Sequence, residues 1–323
     1  MSELRWHPLL GEWVVTATDR QDRTYFPAVE ACPLCPTKRG EVPTEVPLET
    51  YDVVVFENRF PSFQRHPPAP AVAGNALEPV APARGACEVV LFTPRHDATL
   101  AELSVRRIEH VVRVLRDRTR ALFARAEIET VFPFENKGAA TGVTLSHPHG
   151  QIYAYPFVPP VFARELARAS AYRDAHGGCL FCAVRDREVE DGRRLIARED
   201  GWLAYIPFFA RYPYETHLIT ERCMRTLLEL DDREVRALAR LLKRVLVGFD
   251  ALFGISFPYV MAIRQGPKGE APYHLHVAFS PPMRSAERLK YLAGSELGAG
   301  TYINDTLAEE KAAELRERVA QRA

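Results

Sequence analysis

The sequence predicts an α+β chain of two homologous halves, antiparallel sheets flanked by helices and packed as one body. Three observations predict it. Landmarks recur at one spacing: Ser104 and Asp231 stand 231 − 104 = 127 positions apart, as do His96 and Cys223, and His147 and His274. After both Ser104 and Asp231, apolar residues return with helical period. The order Cys-x-x-Cys turn, strands, metal-type residue, capped helix, strand and His-x-His also occurs twice. Units repeated in this way bury their apolar faces against each other.

Taken in order, Glu12–Ala17 reads as a strand, and residues 18–24 as a polar turn carrying Arg20 and Arg23. Cys32-Pro33-Leu34-Cys35 is a tight turn whose two sulfurs can meet one ion. Residues 52–56 form another strand, followed by Glu57, Asn58 and Arg59. Residues 66–86 are rich in Pro and Ala without periodicity, which predicts a surface loop. Residues 88–93 are a buried strand leading to His96, with Cys87 a small core residue. Ser104 caps a helix through Ile108, Val111, Val112, Leu115, Leu122 and Phe123, to about Ala126. In the second half, Asp231 and Glu234 make a capping box ahead of Leu238, Leu241, Leu242, Val245, Phe249 and Leu252, and Gly254 stops that helix. Beyond Thr306 the mixed charge of residues 308–322 predicts a solvated terminal helix.

Composition narrows the function. The chain has 323 residues, 47% hydrophobic and 26% charged, enough to bury a large core. Its 42 basic and 42 acidic side chains cancel, which gives no footprint of a nucleic-acid binder but leaves room for a small anionic ligand. No apolar run approaches the roughly 20 residues of a membrane span, and the N-terminus has no signal-peptide core. A cytoplasmic protein without a membrane partner is expected. Four of the six cysteines lie in the pairs Cys32/Cys35 and Cys179/Cys182, so metal ligation outranks disulfides.

The chemistry concentrates in Ser146-His147-Pro148-His149-Gly150-Gln151. In a strand, His147, His149 and Gln151 share one face. Pro148 holds the segment extended, and Gly150 leaves room for a bulky anion. Ahead of it runs Phe134-Glu135-Asn136-Lys137-Gly138-Ala139-Ala140-Thr141-Gly142. From Phe134 to Gln151 the chain resembles the active-site motif of the galactose-1-phosphate uridylyltransferase family, a branch of the histidine-triad superfamily. The resemblance implies two histidine-triad-like halves, 1–160 with the catalytic motif and 161–323.

His149 is the expected nucleophile, because a neutral imidazole attacks phosphorus without a base to activate it. The resemblance implies exchange of UMP between UDP-glucose and galactose 1-phosphate, in galactose breakdown, by a ping-pong route through uridylyl-histidine. Transfer of AMP from ADP-glucose to phosphate is the sibling reading. Gln151 cannot titrate and can only donate a hydrogen bond to a phosphoryl oxygen, which favours transfer over hydrolysis. From another class, a zinc-stabilised nucleic-acid binder is disfavoured by the balanced charge.

The resemblance also gives substrate roles to Arg20 and Arg23 (phosphate), Asn58 and Asn136 (nucleotide), Gly142 and Thr144 (phosphates), and Lys290 and Glu296 (hexose). Ser295 and Tyr302 depart from the family pattern, where Tyr and Gln are usual. Two structural Zn²⁺ sites are expected: Cys32, Cys35, His96 and His147, and by the repeat Cys179, Cys182, Cys223 and His274. His276 and His217 are weaker substitutes for His274. Glu165 stands where some members place a ligand for a different metal, but Arg264 and Ala278 replace its usual companions. The resemblance also implies that part of this tail is contributed to a neighbouring subunit's site, and so a homodimer with shared sites.

Overall fold

Short runs of alternating burial make the strands, and two long apolar stripes make the helices that cover them. The computed structural model describes residues 2–22, 26–40 and 42–321. The first half contains β1 (Ser2–His7), β2 (Glu12–Ala17), β3 (Val54–Glu57), β4 (Val80–Pro82), β5 (Ala86–Leu91), α1 (Val105–Phe123), β6 (Thr130–Lys137) and β7 (His149–Tyr155). There follow α2 (Pro160–His176), α3 (Leu180–Asp191), β8 (Leu195–Glu199), β9 (Trp202–Tyr205), β10 (Thr216–Thr220), α4 (Asp232–Phe253), β11 (Tyr259–Arg264) and β12 (His276–Ser280). A two-stranded ribbon, β13 (Met283–Ser285) with β14 (Arg288–Leu289), and α5 (Ala308–Ala320) close the chain.

Nine strands join one antiparallel sheet in the order β3-β5-β7-β6-β11-β12-β10-β9-β8. The order mirrors itself about the seam between β6 and β11, where Phe134 pairs with Ala262 and Glu135 with Met261. Corresponding strands of the two halves thus meet at a local two-fold axis. α1 and α4 lie together on one face of the sheet. Ile108, Val111 and Val112 of α1 and Leu238, Leu241 and Val245 of α4 share one core with Val90, Ile152, Leu218 and Val277 of the strands. The caps are those the sequence specifies: Ser104 Oγ accepts from the Arg107 N–H, Asp231 and Glu234 form the capping box, and Gly254 ends α4 at φ 67°.

The other face is covered differently in each half. The small sheet β2-β1-β4 brings Leu4 against Phe63 and Tyr153, whereas α2 brings Phe162 onto Phe132 and Tyr273. The stretch expected to be wholly loop therefore contains a strand, since Val80–Pro82 pairs with residues 3–5 of β1. The terminal helix is not simply solvated either. It buries Ala312, Leu315 and Val319 against α4, where Gly248 leaves space that a Cβ, 2.5 Å from Val319 Cγ2, could not occupy. Among the described residues, no helix is long and apolar enough to cross a membrane.

Candidate active site and metal centres

β7 starts at His149, so strand alternation sets His149 and Gln151 on the face away from α1 and α4. Gly150 points the other way: a Cβ there would lie 2.9 Å from the Phe92 ring and 3.1 Å from the Phe134 carbonyl. Close packing under the sheet, rather than room for an anion, requires this glycine. His149 Nδ1 lies 2.8 Å from the carbonyl oxygen of His147. A carbonyl only accepts, so Nδ1 carries the proton and Nε2 keeps its lone pair. Burial lowers the pKa of this imidazole against the raising effect of that hydrogen bond, which keeps the ring neutral at pH 7.

The cleft beside the ring is lined by Arg20, Asn58, Thr144 and Gln151 on its polar side, and by Leu34, Phe56, Val89 and Leu145 on its apolar side. Asn58 Nδ2 donates to Gln151 Oε1 at 3.5 Å, while Asn58 Oδ1 accepts from the Phe60 N–H at 2.8 Å. The Gln151 amide nitrogen is thereby left to donate into the cleft. Arg20 is held against the rim by bonds to the Phe60 carbonyl (3.3 Å), Ser62 Oγ (3.3 Å) and Tyr153 Oη (3.1 Å). A second recess beyond the ring is lined by Asn136, Gly138 and Ser146. Gly142 takes a left-handed φ of 79° in the connecting loop, whose Thr144 carbonyl accepts from the Phe26 N–H at 2.8 Å.

Both expected clusters assemble. The ligand atoms of Cys32, Cys35, His96 and His147 lie within 4.8 Å of one another, and so do those of Cys179, Cys182, Cys223 and His274. Cys35 Sγ is 3.3 Å from His96 Nδ1 and 3.6 Å from His147 Nδ1, and Cys182 Sγ is 3.4 Å from His274 Nδ1. Hydrogen bonds behind the rings show that these sets suit a cation. His147 Nε2 donates to the Thr93 carbonyl at 2.9 Å, and His274 Nε2 to Thr220 Oγ1 at 2.7 Å, whose own proton goes to the Arg222 carbonyl. Each ring thus turns an unprotonated Nδ1 toward the sulfurs, the arrangement found behind metal-bound imidazoles. Burial also pushes His147 down to about 4, so its lone pair is available at neutral pH. Four donors of sulfur and nitrogen leave no open position, which suits a structural ion.

Residues 1–159 match the family model of the galactose-1-phosphate uridyl transferase N-terminal domain, and residues 165–322 that of its C-terminal domain. The chain belongs to the galactose-1-phosphate uridylyltransferase family. It is 37% identical over 321 residues to the galactose-1-phosphate uridylyltransferase of Thermotoga maritima, covering 98% of both chains. It is 40% identical over 300 residues to that of Streptomyces lividans, covering 88% of this chain and 79% of the relative. A solved uridylyltransferase mutant superposes with a TM-score of 0.89 at 33% identity, over 99% of this chain and all of the other.

Within this uridylyltransferase fold the expected residues fall into groups. His149, Gln151, Arg20, Asn58 and Thr144 line one cleft, and Asn136 lines the adjoining recess. Arg23 lies outside the described residues. Lys290 and Glu296 do not line that cleft: they pair with each other at 3.0 Å, and Lys290 also donates to the Ile303 carbonyl. His276 is directed by its Nδ1 bond to the His274 carbonyl at 2.9 Å, and His217 by Glu215 at 3.1 Å. Glu165 is taken by Arg264 and by the Tyr273 hydroxyl. Sequence reasoning missed Tyr51 and Thr93 behind His147, Thr220 behind His274, and Tyr153 behind Arg20. No local motif marks them, because each acts on a residue distant in the chain.

Proposed function

We infer that this chain exchanges a uridylyl group between UDP-glucose and galactose 1-phosphate, with His149 as temporary carrier. The observation that carries the reading is the His149 Nδ1 bond to the His147 carbonyl, which fixes the tautomer with Nε2 free beside Gln151, Asn58 and Arg20. Nε2 attacks the α-phosphorus of UDP-glucose, the bond to the bridging oxygen breaks, and glucose 1-phosphate leaves with the electron pair. Gln151 donates to a non-bridging oxygen as charge develops there. A phosphate oxygen of galactose 1-phosphate then attacks the same phosphorus, releasing UDP-galactose and restoring the imidazole. The apolar wall of Leu34, Phe56 and Val89 suits the base, and Arg20 the phosphates. Family membership does not favour adenylyl transfer from ADP-glucose.

The two Cys/His clusters would each hold a Zn²⁺ ion, which supplies cross-linking of the turns and no bond-making. We read the protein as a cytoplasmic homodimer in which Lys290 and Glu296 of one copy serve the hexose site of its partner. Exposed Tyr291, Leu297, Ile303 and Leu307 in the same tail support that reading. To test the chemistry, the protein is incubated with UDP-glucose alone and its intact mass measured. One added UMP is expected, absent in His149→Ala and removed by galactose 1-phosphate; an unmodified wild-type mass refutes the covalent carrier.

A further inference from the structure

The strand registers place a second cavity where the His149 cleft has its counterpart. In the first half Phe56 pairs with Val89, and Val89 with Gln151; in the second, Tyr205 pairs with His217, and His217 with Ala278. His149 and His276 coincide as well. Each follows a cluster histidine by two residues and bonds that residue's carbonyl through Nδ1, at 2.8 and 2.9 Å. Tyr205, His217 and His276 together line a cavity of about 560 Å³. That size falls within the range, roughly 300–1,000 Å³, of small-molecule sites.

What differs between the two sites separates binding from chemistry. Ala278 stands in the position of Gln151, so no amide is available there to meet a phosphoryl oxygen. In exchange the second cavity is ringed by planar groups. His276 has Phe181 at 5.5 Å and His217 at 5.7 Å between ring centroids, and Phe209 lies 6.2 Å from His217. His217 donates through Nε2 to Glu215 at 3.1 Å, which fixes its ring and leaves Nδ1 toward other partners. At the mouth stand Arg164 and Arg168, both exposed and four residues apart on one face of α2. Among the described residues neither has a carboxylate partner. Glu165 between them is engaged by Arg264 and Tyr273 and does not neutralise them.

We propose that this second-half cavity is a non-catalytic binding site for a nucleoside 5′-phosphate, its base among the rings and its phosphate at Arg164 and Arg168. The choice of ligand rests in part on reading the His149 cleft as a nucleotide site. Equilibrium dialysis of the full zinc-loaded chain against radiolabelled UMP tests it. Wild type is expected to bind two UMP per chain, and enzyme already uridylylated by UDP-glucose still one. In the R164E/R168E double variant, the second binding event weakens at least tenfold while transferase turnover is kept. No UMP on the uridylylated enzyme, or a single UMP per wild-type chain that R164E/R168E binds with unchanged affinity, overturns the proposal. Failure of the His149 reading is distinguishable, because it appears as missing covalent label and leaves the charge-reversal comparison intact.

Discussion

Glu135 offers a quantitative test of how the seam of the large sheet is built. Its carboxyl is buried beneath the sheet, accepts from the Tyr259 hydroxyl at 3.0 Å, and is raised by burial from 4.5 to about 7. Lys137 lies nearby but donates to Asp250 at 3.1 Å and so only partly offsets the buried charge. At about 1.4 kcal/mol per pH unit, a rise of that size corresponds to about 3 kcal/mol. The folded state holds this proton more tightly than the unfolded chain does. The associated stability is therefore fully present below pH 4.5 and is lost as pH climbs through about 7. Glu135→Gln keeps the shape and the acceptor for Tyr259 but cannot ionise. Urea unfolding of both proteins, each zinc-loaded, at pH 5 and pH 8 should show the variant gaining most of those ~3 kcal/mol relative to wild type at the higher pH. Effects of pH on the metal clusters are common to both and cancel. A wild-type-to-variant difference that stays constant across this range refutes a carboxyl held neutral in the core.

Gln151→Leu is expected to lower the rate of uridylyl-histidine formation about 10²-fold, read by rapid quench, with the far-UV spectrum unchanged. If the two Cys/His clusters hold zinc as proposed, chelation, or Cys35→Ser, should lower the Tm by ~10 °C or more, given the roughly 10 kcal/mol that structural zinc contributes to small domains. An unchanged Tm in metal-free protein refutes the structural role. Arg194 is buried between Glu188 (2.7 Å) and Glu309 (2.5 Å), joining α3 to α5. Arg194→Ala leaves Glu188 buried without its partner and should cost about 3 kcal/mol in denaturant unfolding; a cost near zero refutes the importance of that link.

What the sequence discloses depends on how local the physics is. Caps are written within a few residues, so Ser104, the Asp231/Glu234 pair and Gly254 are readable without a fold. The metal clusters are readable for a different reason: the repeat identifies Cys223 and His274 once His96 and His147 have been noticed. β4 is not, because a three-residue strand that completes its bonding on β1 has no period of its own. In α5 the charged residues hide the stripe of Ala312, Leu315 and Val319, and the space that receives it depends on Gly248 of another helix. Gly150 shows a limit of motif reading. Its identity is dictated by Phe92 on the hidden side of the strand, whereas the motif draws attention to the ligand side.

The antiparallel join of β6 to β11 also governs what would happen if the chain were cut after β7. Each fragment would present a bare backbone edge four to five strands from its far side. Unpaired edges of this kind recruit whatever strand is at hand. Separately made fragments should therefore couple with copies of themselves, and fragments made together should rejoin as in the intact chain. A gene fusion that tethered two such edges would have replaced a concentration-dependent encounter with a permanent one, freeing one partner's ligand groups to diverge while the other's stayed fixed.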